Sequence, residues 1–255
     1  MFDTLFGDST PNAACSTSGR RISCLRRRML ILAHRAYRNG PDAARENTLV
    51  AVVDCLREGW GVEIDIRRGA QGGFYIAHDP APDRADAGGY CEAIRQHARA
   101  PIALNVKDLG YEADLLRLLD DHGIIDRVFL FDMELLERDR GRAAATFRAL
   151  HPTVRIAARV SDRAEPIEQA LAISAADVTW VDEFDRLWIT EADVQTLKTH
   201  GKTVYAISPE LHGFSSRTMI ERWEQFAAWG VDGICTDFAD RARAHLENRR
   251  KEAAS

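Results

Sequence analysis

Nowhere does the chain carry an apolar run approaching the roughly 18 residues that a membrane-spanning helix needs, so no integral membrane association is predicted. It also lacks G-x-G-x-x-G and the P-loop, the glycine-rich turns that cradle nucleotide phosphates. Cysteine is scarce and unpatterned: Cys15, Cys24, Cys55, Cys91 and Cys235 are odd in number, widely spaced and without a C-x-x-C. That usage fits free thiols in a reducing cytoplasm better than a disulfide framework or a zinc site, and the expected location is cytoplasmic. Positive charge is not in excess; 34 Lys and Arg against 39 Asp and Glu give a formal net charge of −5. Neither nucleic acid nor an anionic membrane is therefore expected as a partner.

What the chain does have is bulk. With 255 residues, 45% apolar and 29% charged, it can bury a large core, which excludes a disordered or collagen-like chain. Length permits either one large α/β barrel or two ordinary domains. The acidity is uneven, because residues 1–28 hold five arginines and two aspartates, a local +3 that leaves −8 for the rest. This Ser/Thr/Asn/Gly-rich segment lacks the apolar stretch of about 7–15 residues that a secretory signal requires. It reads as a disordered or mis-assigned extension, with Met29 a candidate start where the first strand-like run opens. A basic nucleic-acid-binding arm is the weaker alternative, given arginines without interleaved aromatics.

From Met29 onward, short apolar runs alternate with segments of helical period. The runs are Leu30–Ala33, Val62–Ile66, Ile102–Val106, Val128–Phe131, Val154–Ala158, Val178–Val181, Thr203–Ile207 and Gly233–Thr236. Between them lie amphipathic stretches such as Asn47–Glu58, where Leu49, Val52, Val53 and Leu56 share one face, Asn47 can cap the start and Gly59 the end. A hairpin is expected over Arg67–Asp79, with Gln71-Gly72-Gly73 as its turn. Strands apolar on both faces and joined by helices imply a parallel sheet, and eight of them imply one (β/α)8 TIM barrel over residues 29–250, with a short hairpin after the second strand. A doubly wound open sheet would need fewer strands and usually a glycine-rich first loop.

Barrel enzymes place their chemistry where strands end, and the strand ends here are polar. The first exits at His34-Arg35; the second carries Glu63 and Asp65; the hairpin ends in His78-Asp79; later strands bring Asn105, Lys107, Asp132, Arg159, Asp182, Glu183 and Asp237. Glu63 and Asp65 are two apart, so both carboxylates share a face of their strand. Side by side they repel unless a cation or proton lies between them, and oxygen donors suit a hard ion such as Mg²⁺ or Ca²⁺. An exposed strand-end pair is the plainer alternative. His34 and His78, with Arg35 and Lys107 as cationic partners, form a plausible acid/base pair for phosphoryl chemistry. Arg159 and Glu210 are positioned to contact polar groups of a substrate. Trp180 and Tyr205 pack the core or rim, with stacking on a sugar ring the alternative. Asp237 could cap the final helix or reach the site, and capping alone accounts for it.

These residues resemble the glycerophosphodiester phosphodiesterase family. The likeness runs through Ala33-His34-Arg35, Glu46-Asn47-Thr48, Gly61-Val62-Glu63-Ile64-Asp65 and Ala77-His78-Asp79-Pro80, and returns in Gly230-Val231-Asp232-Gly233-Ile234-Cys235-Thr236-Asp237. It implies a (β/α)8 barrel, a divalent ion held at Glu63 and Asp65, His34 and His78 as general acid and base, and Arg35 on the phosphate. Glu46 matches a further site position, or simply favours the helix entry. Two departures stand out. Where the family has a third acid the chain has Asn105-Val106-Lys107, so Asn105 would be a neutral metal ligand unless Asp132 or Asp182 restores the charge. Only 26 residues separate His78 from Asn105, too few for the inserted subdomain of many relatives. The middle of the chain, including Ser208-Pro209-Glu210-Leu211-His212-Gly213, is similar to a bacterial subgroup found with polysaccharide genes. The expected activity is metal-dependent hydrolysis of a small glycerophosphodiester or sugar- or polyol-phosphate diester, with Arg35, Lys107, Glu46 and Arg159 binding substrate and Glu63, Asp65, Asn105 and Asp132 the ion. A catalytically weak sugar-phosphate binding barrel and a lyase-like enzyme releasing a cyclic phosphate are the alternatives.

Overall fold

The computed structural model describes residues 28–81, 86–97 and 100–254. The expected extension over 1–28, including Cys15 and Cys24, thus lies outside the described residues except for Arg28. Nine strands form one sheet: β1 (Leu30–Ala33), β2 (Gly61–Arg68), β3 (Phe74–Ile76), β4 (Ile102–Val106), β5 (Val128–Phe131), β6 (Arg155–Ser161), β7 (Val178–Asp182), β8 (Thr203–Ile207) and β9 (Gly233–Thr236). All but β3 are parallel, and β1 pairs with both β9 and β2, through Leu32↔Cys235 and Leu32↔Gly61, so the eight close into a barrel. β3 lies antiparallel on β2, with Arg67 opposite Tyr75, and is the expected hairpin. The helices are α1 (Leu49–Arg57), α2 (Gly88–Gln96), α3 (Glu112–Asp121), α4 (Arg142–Leu150), α5 (Ile167–Ala172), α6 (Glu191–Thr199), α7 (Ser216–Trp229) and α8 (Ala239–Ala254).

Side-chain alternation sorts each strand into two faces. One face contributes to the large apolar layer between strands and helices. The other forms a second cluster from Leu32, Ala103, Phe129, Phe131, Ala157, Val178, Trp180, Tyr205, Ile207 and Cys235, which fills the barrel. Its rings interlock, Phe131 with Trp180 at 4.3 Å and Phe129 with Tyr205 at 4.9 Å between centroids. Two glycines make room for it: a Cβ on Gly233 would lie 2.5 Å from the Tyr205 ring, and one on Gly61 2.4 Å from Leu32 Cδ2. Trp180 and Tyr205 are therefore a plug, 3% and 2% exposed, and not the rim residues available for a sugar ring that the sequence allowed.

The plug positions the site. Two residues further along the same faces, Ala103 leads to Asn105, Ala157 to Arg159, Trp180 to Asp182 and Cys235 to Asp237. The register Glu63↔Ala103 and Asp65↔Asn105 puts the paired acids on that inner face as well. Apolar filling thus gives way to a polar layer within one pleat. Two elements differ from expectation. α2 was not foreseen, because it opens on Gly88-Gly89, poor helix formers. β6 runs to Ser161, which places Arg159 inside the strand and not beyond it.

Candidate active site at the barrel mouth

Around β1, β2 and β4 the polar layer is built on strained backbone. Arg35 and Ala36, directly after β1, have φ of 46° and 62°, and Asn47 has φ 53°, left-handed values that cost non-glycine residues energy. Hydrogen bonds hold the turn: the Arg35 amide donates to Glu63 Oε2 at 3.1 Å, and the Asn47 amide to the Arg35 carbonyl at 3.0 Å. His34 is thereby aimed at two acids, its Nδ1 2.7 Å from Asp237 Oδ1 and its Nε2 3.9 Å from Glu63 Oε2. Burial pulls its pKa down, but the Asp237 hydrogen bond and the charges of Glu63 and Asp237 outweigh it, so His34 lies above the ordinary histidine value. Glu63 is pushed up to about 7, by burial first and then by the charge of Asp65.

Asp65 is well compensated. Lys107 Nζ stands 3.0 Å from one oxygen, while Asn47 Nδ2 donates to the other at 2.8 Å and Arg35 Nε is 3.8 Å away. Glu46 steadies the arginine, accepting from Arg35 Nη1 at 2.8 Å and from the Tyr37 hydroxyl at 2.9 Å. Asn47, expected to cap α1, turns to Asp65; Thr48 caps the helix, its hydroxyl accepting from the Ala51 amide. Arg35 Nε is buried with no hydrogen-bond acceptor. Such a donor beside Lys107 and His34 invites an anion.

Across the mouth, the ends of β5 to β8 carry a chain of charge pairs. Asn105 Nδ2 donates to Asp132 Oδ2 at 3.0 Å; Arg159 joins Asp132 to Asp182, the latter at 2.7 Å; and Asp182 Oδ1 holds His212 Nε2 at 2.8 Å. Arg159, foreseen as a substrate contact, is 7% exposed and engaged on both sides. Glu210 is likewise committed inside the protein, accepting from the Thr236 hydroxyl and the Asp237 amide. Asp237 reaches His34 and is not merely a helix cap.

His78 lies just past β3, across the hairpin from Asp65, since the Ala77 amide donates to the Asp65 carbonyl at 3.0 Å. Arg67 donates twice to the His78 carbonyl, at 2.9 and 2.6 Å, fixing its backbone. Its half-exposed ring pairs with Asp79 at 3.0 Å and, among the described residues, makes no hydrogen bond to His34, Glu63 or Asp65.

Among the described residues no three His, Cys, Asp or Glu side chains form a ready-made metal cluster. Asp132, foreseen as a further donor, accepts a hydrogen bond on each oxygen, from Asn105 and from Arg159. With Nδ2 donated to Asp132, Asn105 Oδ1 is buried and accepts nothing. Glu63, Asp65 and that amide oxygen, on neighbouring strands in register, are an all-oxygen set of the kind that hard cations take.

No family model and no curated relative matches the chain's sequence. Solved structures do match its fold. A candidate glycerophosphodiester phosphodiesterase from Galdieria sulphuraria superposes with a TM-score of 0.68 at 20% identity, over 87% of this chain and 98% of that one. The glycerophosphodiester phosphodiesterase from Agrobacterium tumefaciens gives 0.63 at 19% identity, covering 84% and 98%. A phosphodiesterase from Oleispira antarctica in complex with the product sn-glycerol-3-phosphate gives 0.64 at 17% identity, covering 86% and 96%. At such identities the likeness establishes a shared barrel; the chemistry must be argued from the side chains.

Proposed function

We propose that the chain is a phosphodiesterase acting on a small diester of glycerol or of another polyol or sugar phosphate at the mouth of the barrel. The observation that carries the reading is the gathering of Arg35, Lys107 and His34 over Glu63 and Asp65, with the buried Arg35 Nε 3.8 Å from Asp65 and hydrogen-bonded to no acceptor. Arg35 and Lys107 would bind the phosphate and stabilise its added negative charge in the transition state. His34, oriented through Nδ1 by Asp237 and raised in pKa, would present Nε2 as a proton donor to the leaving oxygen; His78 is the foreseen partner that takes the proton from water. Glu63, Asp65 and Asn105 Oδ1 would hold a Mg²⁺ or Ca²⁺ ion, which supplies positive charge to a phosphoryl oxygen. With two carboxylates in place of three, such an ion should bind weakly.

Proteins of matching fold include glycerophosphodiester phosphodiesterases, and one phosphodiesterase among them is in complex with its product sn-glycerol-3-phosphate. Wild type and His34→Ala should be assayed on several glycerophosphodiesters and on bis(p-nitrophenyl) phosphate with Mg²⁺, Mn²⁺ or Ca²⁺. The reading expects turnover by the wild type and a loss of about 10²- to 10⁴-fold in the variant; equal rates reject it. A binding barrel is the second reading, favoured by the engagement of both Asp132 oxygens with Asn105 and Arg159. Tight calorimetric binding of a sugar phosphate, with no ion bound at millimolar concentration, would select it.

A further inference from the structure

The mouth holds a third histidine–carboxylate pair, beside His34–Asp237 and His78–Asp79, that the phosphodiesterase chemistry above does not use. His212 follows β8 in a short 3-10 turn, Pro209–His212, and its Nε2 is 2.8 Å from Asp182 Oδ1. Asp182 is buried and shared with Arg159, so the carboxylate is fixed and takes the Nε2 proton. In the neutral ring that leaves Nδ1 as an acceptor, and among the described residues no other side chain or backbone group is hydrogen-bonded to the ring. The ring packs against Phe184 at 4.3 Å between centroids, tilted by 51°, and Phe184 is itself covered by Arg163 at 4.3 Å. The turn is anchored from below by Glu210, which accepts from Ser208, Thr236 and the Asp237 amide. Asp237 is also the partner of His34, so the two histidines are positioned through one hydrogen-bonded framework.

Strand order gives the pair its role. In the closed barrel β7 and β8 lie across from β2 and β4, which carry Glu63, Asp65 and Lys107. A phosphate seated on the latter directs one ester arm toward the former. We infer that His212, held by Asp182, is a substrate-contacting residue that accepts a hydrogen bond at Nδ1 from a hydroxyl of the alcohol portion of the diester. The alcohol is then a polyol or sugar, not an aryl or simple alkyl group. The inference rests on the phosphodiesterase reading and adds the side of the mouth that recognises the alcohol.

The test compares His212→Gln with wild type on two diesters, a glycerophosphodiester and bis(p-nitrophenyl) phosphate, which has no hydroxyl to offer. The expected result is a fall in kcat/KM at least tenfold greater for the glycerol substrate, expressed mainly in KM. Equal losses on both substrates, or none, overturn the inference while leaving the activity standing. A wild type inactive on both overturns the functional reading and this inference with it. Nitrogen-15 NMR of the wild type gives a readout independent of the variant's folding: His212 should be the Nε2–H tautomer, and its Nδ1 signal should move with glycerol 3-phosphate and not with inorganic phosphate. A signal indifferent to both, or moved alike by both, contradicts it.

Discussion

The two sides of the barrel mouth are both polar and both buried, yet they are built differently. On the β1–β2–β4 side the acids are crowded, three non-glycine residues hold left-handed backbone, and Arg35 Nε lacks an acceptor. On the β5–β8 side opposite charges alternate, Arg159 is matched by Asp132 and Asp182, and left-handed backbone and a buried donor without an acceptor occur once each, at Asp132 (φ 68°) and Arg159 Nε. Crowding like charges and leaving donors unpaired costs stability, and such costs gather where a ligand completes the arrangement. The closed ion-pair chain opposite instead fixes the geometry of the barrel ends. In the proposed reading one side carries the chemistry and the other holds shape and recognises the alcohol.

Exchanging the same kind of mutation between sides breaks or sharpens this contrast. The largest stability effect is expected for Arg159→Ala, which strands two buried carboxylates and should cost about 3–5 kcal/mol in denaturant unfolding. Arg35→Ala should cost far less in unfolding but lower kcat/KM by roughly 10²-fold or more. If Arg35→Ala unfolds the protein and Arg159→Ala mainly slows it, the division is wrong.

A smaller effect concerns pH. The folded state holds a proton on Glu63 up to about 7, whereas an unfolded glutamate releases it near the ordinary value of 4.5. The folded protein thus binds more protons in that window, so stability is greatest below it and falls as pH rises from about 4.5 to 7, by roughly 3 kcal/mol at most. His34, raised in pKa, adds a further loss above pH 6.5. Metal-free Glu63→Gln should flatten the first slope, which urea unfolding across this range will measure; an unchanged slope would place the titration elsewhere. Smallest is Thr48→Ala, which removes the α1 cap for about 1 kcal/mol with little effect on turnover.

Period and order made much of this legible in the sequence. Eight apolar runs separated by helical segments read directly as the barrel, and Glu63-x-Asp65 read as one face because alternation is local. Partners set by barrel closure were not legible: Asp237 meets His34 only because β9 returns to β1, and local capping explained it equally well. Arg159 and Asp132 read as separate site residues because nothing along the chain announces their ion pair. His212 sits in Ser208-Pro209-Glu210-Leu211-His212-Gly213, and only the fold brings its partner Asp182, thirty residues upstream, beside it.

The central claim is that the strained side of the mouth binds a phosphate ester. A crystal structure with glycerol 3-phosphate and Mg²⁺ or Ca²⁺ tests it most directly. The phosphate is predicted against Arg35 and Lys107, the ion on Glu63, Asp65 and Asn105 Oδ1, and the glycerol toward His212. A phosphate seated on Arg159 or outside the mouth, with Glu63 and Asp65 uninvolved, would contradict the account.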